Sequence, residues 1–225
     1  MEKLTRQQVK QIAVETGQIS GYDLSGLDLS NLDLIAVNFT SSNIRGAKLS
    51  GANLSMSDFA GSDLSGCNLS STNCIGASFK GASLEKSDLT FASFVGADFT
   101  ESSLKGVNLT NSKISAACFE KADLSDANLQ MTEAVLIKMT DAVLLKVNAY
   151  GSSLIGADFS RSNLQGASLR GADMSGANLT SADLRSAEMI ETVLIATDLT
   201  NADFRGAYMR GVDMNRAILN GTHMD

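Results

Sequence analysis

Gly156-Ala157-Asp158-Phe159-Ser160-Arg161-Ser162-Asn163-Leu164 is the stretch that decides the fold. A small residue is followed by Asp or Asn, then by Leu or Phe, then by two permissive positions, and the order returns every five residues. The central apolar slot runs in one unbroken frame through Ile19, Leu24, Leu29, Leu34, Phe39, Ile44 and Leu49 to Met224. Two residues before the central one sits a small or modest residue in most repeats, such as Ala47, Ala52, Ala97 or Ala172. The two slots alternate with polar positions, so both can point inward as in a short strand. A period this short over nearly the whole chain predicts a solenoid, in which each unit touches only its neighbours.

Glycine supports the same frame. Of 19 glycines, 18 lie two residues after a central residue, and only Gly17 does not. A type II turn needs positive φ at its second central residue, which glycine adopts without steric penalty, so this slot is a corner. The absence of proline fits a ladder in which each residue donates its N–H to a neighbouring coil. Phe39, Phe59, Phe79, Phe99, Phe119 and Phe159 are separated by multiples of twenty. Four five-residue sides therefore close one coil, and these rings stack in one column. About ten coils spaced at roughly 4.8 Å imply a rod about 50 Å long.

Residues 1–18 stand outside the repeat and read as a capping helix, leaving 19–225 as the solenoid. Thr5 with Gln8 fits a capping box, and Leu4 with Val9 fits a hydrophobic staple. Val9, Ile12, Ala13 and Thr16 form the expected buried stripe, and Gly17 stops the helix. The repeat weakens over residues 131–151, where Ala134, Met139, Leu144 and Ala149 occupy central slots and Ile137 and Val147 occupy small ones. The frame resumes at Leu154 without net insertion, so a distorted continuous coil is expected there rather than a helical insert.

The pattern Ala52-Asn53-Leu54, Ala157-Asp158-Phe159 and Ala177-Asn178-Leu179 resembles the pentapeptide-repeat family. The resemblance spans Ile19 to Met224 and implies an all-β fold: a right-handed, quadrilateral β-helix of twenty residues per coil. It is specific for fold and nearly silent on function. It also implies two things about partners. Some members of the family mimic B-form DNA and bind gyrase or another type II topoisomerase, and some dimerise through their C-terminal end.

The residues offer little catalytic chemistry. His223 is the lone histidine and reads as a tail residue. Every repeat glycine is a corner, so none builds a phosphate loop. Cys67 and Cys74 fall on inward slots, Cys118 on an outward one, and their spacing suggests neither a disulfide framework nor a zinc site. A non-enzymatic protein without cofactor or metal is expected. The net charge is −7, spread evenly along the chain, which argues against direct nucleic-acid or anionic-membrane binding. The longest apolar runs, such as Ala134 to Ile137, are far too short to span a bilayer, and residues 1–18 lack the apolar segment of a signal peptide. A cytoplasmic location is expected.

Function then rests on outward side chains and an unidentified protein partner. Asp recurs before the central residue, as at Asp23, Asp58, Asp98 and Asp158, but alternates with Asn43, Asn53 and Asn108, and arginines gather late in the chain. DNA mimicry needs denser charge than this. Local turn bonding is the simpler role for these residues. On the fourth side, the slot after the central residue reads Ile35, Ser55, Ile75, Val95, Ser115, Val135, Ile155, Ser175, Ile195. The same slot on the first side is nearly all polar. Ile35, Ile75, Val95, Val135, Ile155 and Ile195 form either a partner-contact column or a mark of strand propensity. At the C-terminal end nothing resembles a cap, so Met209, Met214, Leu219 and Met224 border an open edge suited to a homodimer.

Overall fold

A computed structural model describes residues 1–224. The chain winds as a right-handed quadrilateral β-helix behind one short helix, α1 (Arg6–Glu15). Every ladder contact is parallel and joins a residue to the one twenty positions later, from Lys3 with Asp23 to Asp203 with His223. We number the sides one to four from Ile19, so side one carries the phenylalanine column and side four carries Leu34, Leu54, Cys74 and Phe94.

The five-residue motif follows from where its backbone donors go. Phe79 N–H donates to Asp98 O at 2.6 Å, Gly81 N–H to Thr100 O at 2.9 Å, and Ser83 N–H down to Ser62 O at 2.9 Å. Ala82 N–H closes the turn on Phe79 O at 3.0 Å. One amide per repeat, that of the first turn residue, has no place in this ladder. The Asp or Asn two residues earlier accepts it, as Asp98 Oδ1 does from Thr100 N–H at 2.9 Å and Asn178 Oδ1 from Thr180 N–H at 3.0 Å. A buried or half-buried amide without a partner costs about 1–3 kcal/mol, which explains the preference for Asp and Asn at that slot.

The interior is largely apolar and layered. Phe39, Phe59, Phe79, Phe99 and Phe119 stack at 4.7–4.9 Å with their planes within 5°. Met139 interrupts the column before Phe159, and Phe94 meets Phe79 and Phe99 edge-on. Where the small inward slot holds Ser or Thr, the hydroxyl donates to a carbonyl, as from Ser57 Oγ to Leu34 O at 2.7 Å, except at Ser112, whose buried hydroxyl has no partner among the described residues. Residues 131–151 carry the same bridges and turns as their neighbours, with Ile137 and Val147 buried.

At the amino terminus the capping box forms: Thr5 accepts from Gln8 N–H, and the Gln8 side chain accepts from Thr5 N–H. Leu4 and Val9 are buried as a staple requires, and Arg6 pairs with Asp28 at 3.2 Å. Thr16 departs from the expected stripe. It is exposed, because the chain leaves the helix there and Gly17, at φ +64°, turns it into the first coil. The ladder also starts ahead of the helix, since Leu4 N–H donates to Asp23 O and Asp23 N–H to Glu2 O. At the other end the final rung is Phe204 N–H to His223 O.

Candidate functional site

Each corner of the prism presents two turn residues. The second has positive φ at all forty-one corners, and twenty-three of these residues are not glycine, so the left-handed conformation is imposed by the ladder rather than by sequence alone. None of the twenty-three is Val, Ile or Thr, the side chains least tolerant of that region. Within the corners, β-branched residues are confined to the first turn position, which has ordinary φ.

That is where the isoleucine column stands. Ile35, Ile75, Ile155 and Ile195 are exposed at 36–49%, and Val95 and Val135 are half-buried. They line a corner, not the flat of a strand, so strand propensity does not account for them. Their corner partners, from Ala36, Met56, Gly76 and Gly96 through Leu136 to Ala196, are equally uncharged.

A second uncharged corner closes the other border of side four. From Ser30 to Gly151 its turn pairs carry no ionic residue, and Phe91, Met131 and Tyr150 project from it, each at least half exposed. The sequence reading missed this corner because its large residues are scattered among Ser, Thr and Asn. Aligning every turn position at a period of twenty reveals it. Between residues 20 and 205 there are nine exposed large hydrophobic side chains, and all nine lie on the two corners that flank side four.

The other two corners carry the charge. Arg45 pairs with Asp63 at 2.9 Å, Lys80 with Asp98 at 3.0 Å, Lys105 with Asp123 at 3.1 Å and Arg161 with Asp141 at 2.8 Å. Leu145, Lys146, Gln165, Gly166, Arg185 and Arg205 line a shallow groove along one of these corners. There Arg205 holds the Asp203 carboxyl down at about 2, against a resisting desolvation effect. At Asp98 and Asp123 partial burial pushes the carboxyl up, but hydrogen bonds from the turn and from Lys80 or Lys105 outweigh it and hold it low. The acidic columns are thus committed to turns and ion pairs.

Cys67 and Cys74 are buried, and burial pushes both thiols up to about 12. Cys118 is half-buried, its Sγ 3.4 Å from Thr100 Oγ1. Among the described residues no group of three or more His, Cys, Asp or Glu converges on a metal-sized space, and His223 is an exposed ladder residue. No helix among them is long and apolar enough to cross a membrane. In the last described coil Met209 and Met214 are half-buried while Leu219 and Met224 are exposed.

The sequence matches the family model for pentapeptide repeats in eight copies, over residues 20–55, 57–90, 92–130, 152–189 and 187–225. The unmatched gap coincides with the weak repeats at 131–151. Among solved structures the chain is similar to a trypsin-treated form of QnrB1, a plasmid-mediated fluoroquinolone resistance protein. The two are 22% identical over 82% of this chain and 90% of that one, with a TM-score of 0.53. It is also similar to HetL, a pentapeptide repeat protein involved in heterocyst differentiation regulation in the cyanobacterium Nostoc sp. strain PCC 7120. That match has 24% identity, covers 99% of this chain and 94% of that one, and has a TM-score of 0.41. No curated protein matches the sequence.

Proposed function

Because the chain belongs to the pentapeptide-repeat family, we propose that it is a non-enzymatic, rod-shaped protein-binding scaffold whose contact surface is side four with its two flanking corners. The observation that carries this reading is the segregation of exposed apolar side chains: all nine between residues 20 and 205 border one side of four. Exposed apolar side chains gathered on one side of a protein are the usual mark of an interface, and here they form two corner rows flanking a polar central column. Ile75 and Ile155 are its central anchors on one corner, and Phe91 and Tyr150 on the other. A topoisomerase-binding DNA mimic draws less support, since the Asp side chains are occupied by turn amides, Lys and Arg. A cytoplasmic setting fits three unpaired thiols.

The open C-terminal coil is a second contact in this proposal, joining two chains end to end through Met209, Met214, Leu219 and Met224. Unpaired ladder edges invite pairing with another chain, and the bare Leu219 and Met224 add apolar area to the same rim. Affinity capture with wild type and an Ile75→Lys, Ile155→Lys variant tests the main reading. A bound protein present with wild type and lost with the variant is expected. An unchanged set of bound proteins would sink it.

A further inference from the structure

The outward column of side four has two opposite charges at its centre. Lys113 and Glu133 sit on adjacent coils, Nζ to Oε2 3.7 Å, and both are exposed. The other outward residues of that column between positions 53 and 153 are Asn53, Asn73, Ser93 and Ser153, all uncharged.

We propose that side four is occupied by a second copy of this chain, laid antiparallel across a twofold axis that passes between the coils of Lys113 and Glu133. The proposal rests on the reading of side four as a contact surface and names its partner. An axis in the contact plane and perpendicular to the rod reverses the rod and keeps each corner opposite itself. Lys113 then faces the partner's Glu133, and Glu133 faces the partner's Lys113. A parallel arrangement about an axis along the rod brings Lys113 against the partner's Lys113, which like-charge repulsion disfavours.

The corners complement one another about the same axis. Phe91, the most exposed large apolar side chain of its corner at 65%, comes opposite the partner's Gly151. Tyr150 comes opposite the partner's Thr90, and Leu136 opposite the partner's Ala116. Ile155 meets the partner's Val95. Phe91, Tyr150 and Leu136 thus face smaller residues, and Ile155 and Val95 meet as apolar partners, an arrangement that lets two surfaces close without voids. Toward the ends the fit stops, because Asp33 meets the partner's Asp213. The overlap therefore runs over about eight coils, roughly 38 Å at 4.8 Å each.

Two charge variants test this without touching the core. Lys113→Glu leaves two acids at the centre of the face, and Glu133→Lys leaves two bases. Each variant, tagged differently, is offered to itself and to the other. Unlike variants are expected to capture one another at least about tenfold better than either captures itself. End-to-end association through the last coil does not sense these charges and gives equal capture. Equal capture of like and unlike variants, or no self-association of wild type, overturns the proposal. If capture is equal while the Ile75→Lys, Ile155→Lys variant loses a different protein, side four remains a contact surface and self-pairing falls. If that variant also loses nothing, the surface reading falls as well.

Discussion

The ring of Phe99 lies on that of Phe79 with centroids 4.8 Å apart and planes within 5°. Phe79 also stacks on Phe59 and Phe99 on Phe119, so the column transmits packing from coil to coil. Phe79→Ala removes a fully buried ring contacting Phe59, Phe94 and Phe99. It is expected to lower stability by about 3–5 kcal/mol, read as a shift in the denaturant midpoint. Phe79→Leu, which keeps most of the volume, is expected to be markedly milder.

The corners are a separate source of strain. Lys86 holds φ +58° without an ion pair to justify it. Lys86→Gly is expected to stabilise the fold by about 0.5–1 kcal/mol, the left-handed penalty outweighing the extra unfolded-state freedom of glycine. Lys86→Val is expected to destabilise it by about 1–2 kcal/mol. Thermal melts of the two variants on either side of wild type check the sign.

Acid is expected to unfold the rod through its turn aspartates. Asp203, ordinarily 3.8, is held at about 2 chiefly by the Arg205 hydrogen bond, and Asp98 and Asp123 are also lowered. A carboxyl lowered on folding contributes fully above 3.8 and loses that contribution as pH falls toward its folded value. Melting temperature is therefore expected to hold above pH 4 and fall between about pH 4 and 2. Asp203→Asn is expected to make that fall shallower.

Thiol labelling separates the three cysteines. With Cys67 and Cys74 pushed to about 12 inside the core, the native chain is expected to react at one site, Cys118, and the denatured chain at three. More than one reactive thiol in the folded protein would contradict the burial of Cys67 and Cys74.

The coil was legible in the sequence because its interior is periodic: Phe39 to Phe119 mark twenty residues directly, and glycine marks eighteen of the forty-one corners. The corners that lack glycine were not legible, since Lys86 or Phe91 adopts positive φ only because the ladder on both sides forces it. The role of Asp98 was half legible, as a turn residue. That it satisfies the one amide left over by the ladder follows only from the full accounting of donors. Of the surface, the isoleucine corner showed through its regular spacing. Phe91 and Met131 lie two coils apart on one turn position and Tyr150 on the other, among Ser, Thr and Asn, so their corner emerges only when exposure is mapped onto the prism.

The most direct test of the account sets its apolar side against its acidic ones. Asp58→Asn, Asp98→Asn, Asp158→Asn removes charge from side one while keeping an oxygen for each turn amide. Binding by this variant is compared with that of Ile75→Lys, Ile155→Lys. The account expects the asparagine variant to bind as wild type does and the lysine variant to lose its partner. Binding lost in the asparagine variant and kept in the lysine variant would contradict it and place function on the charged faces.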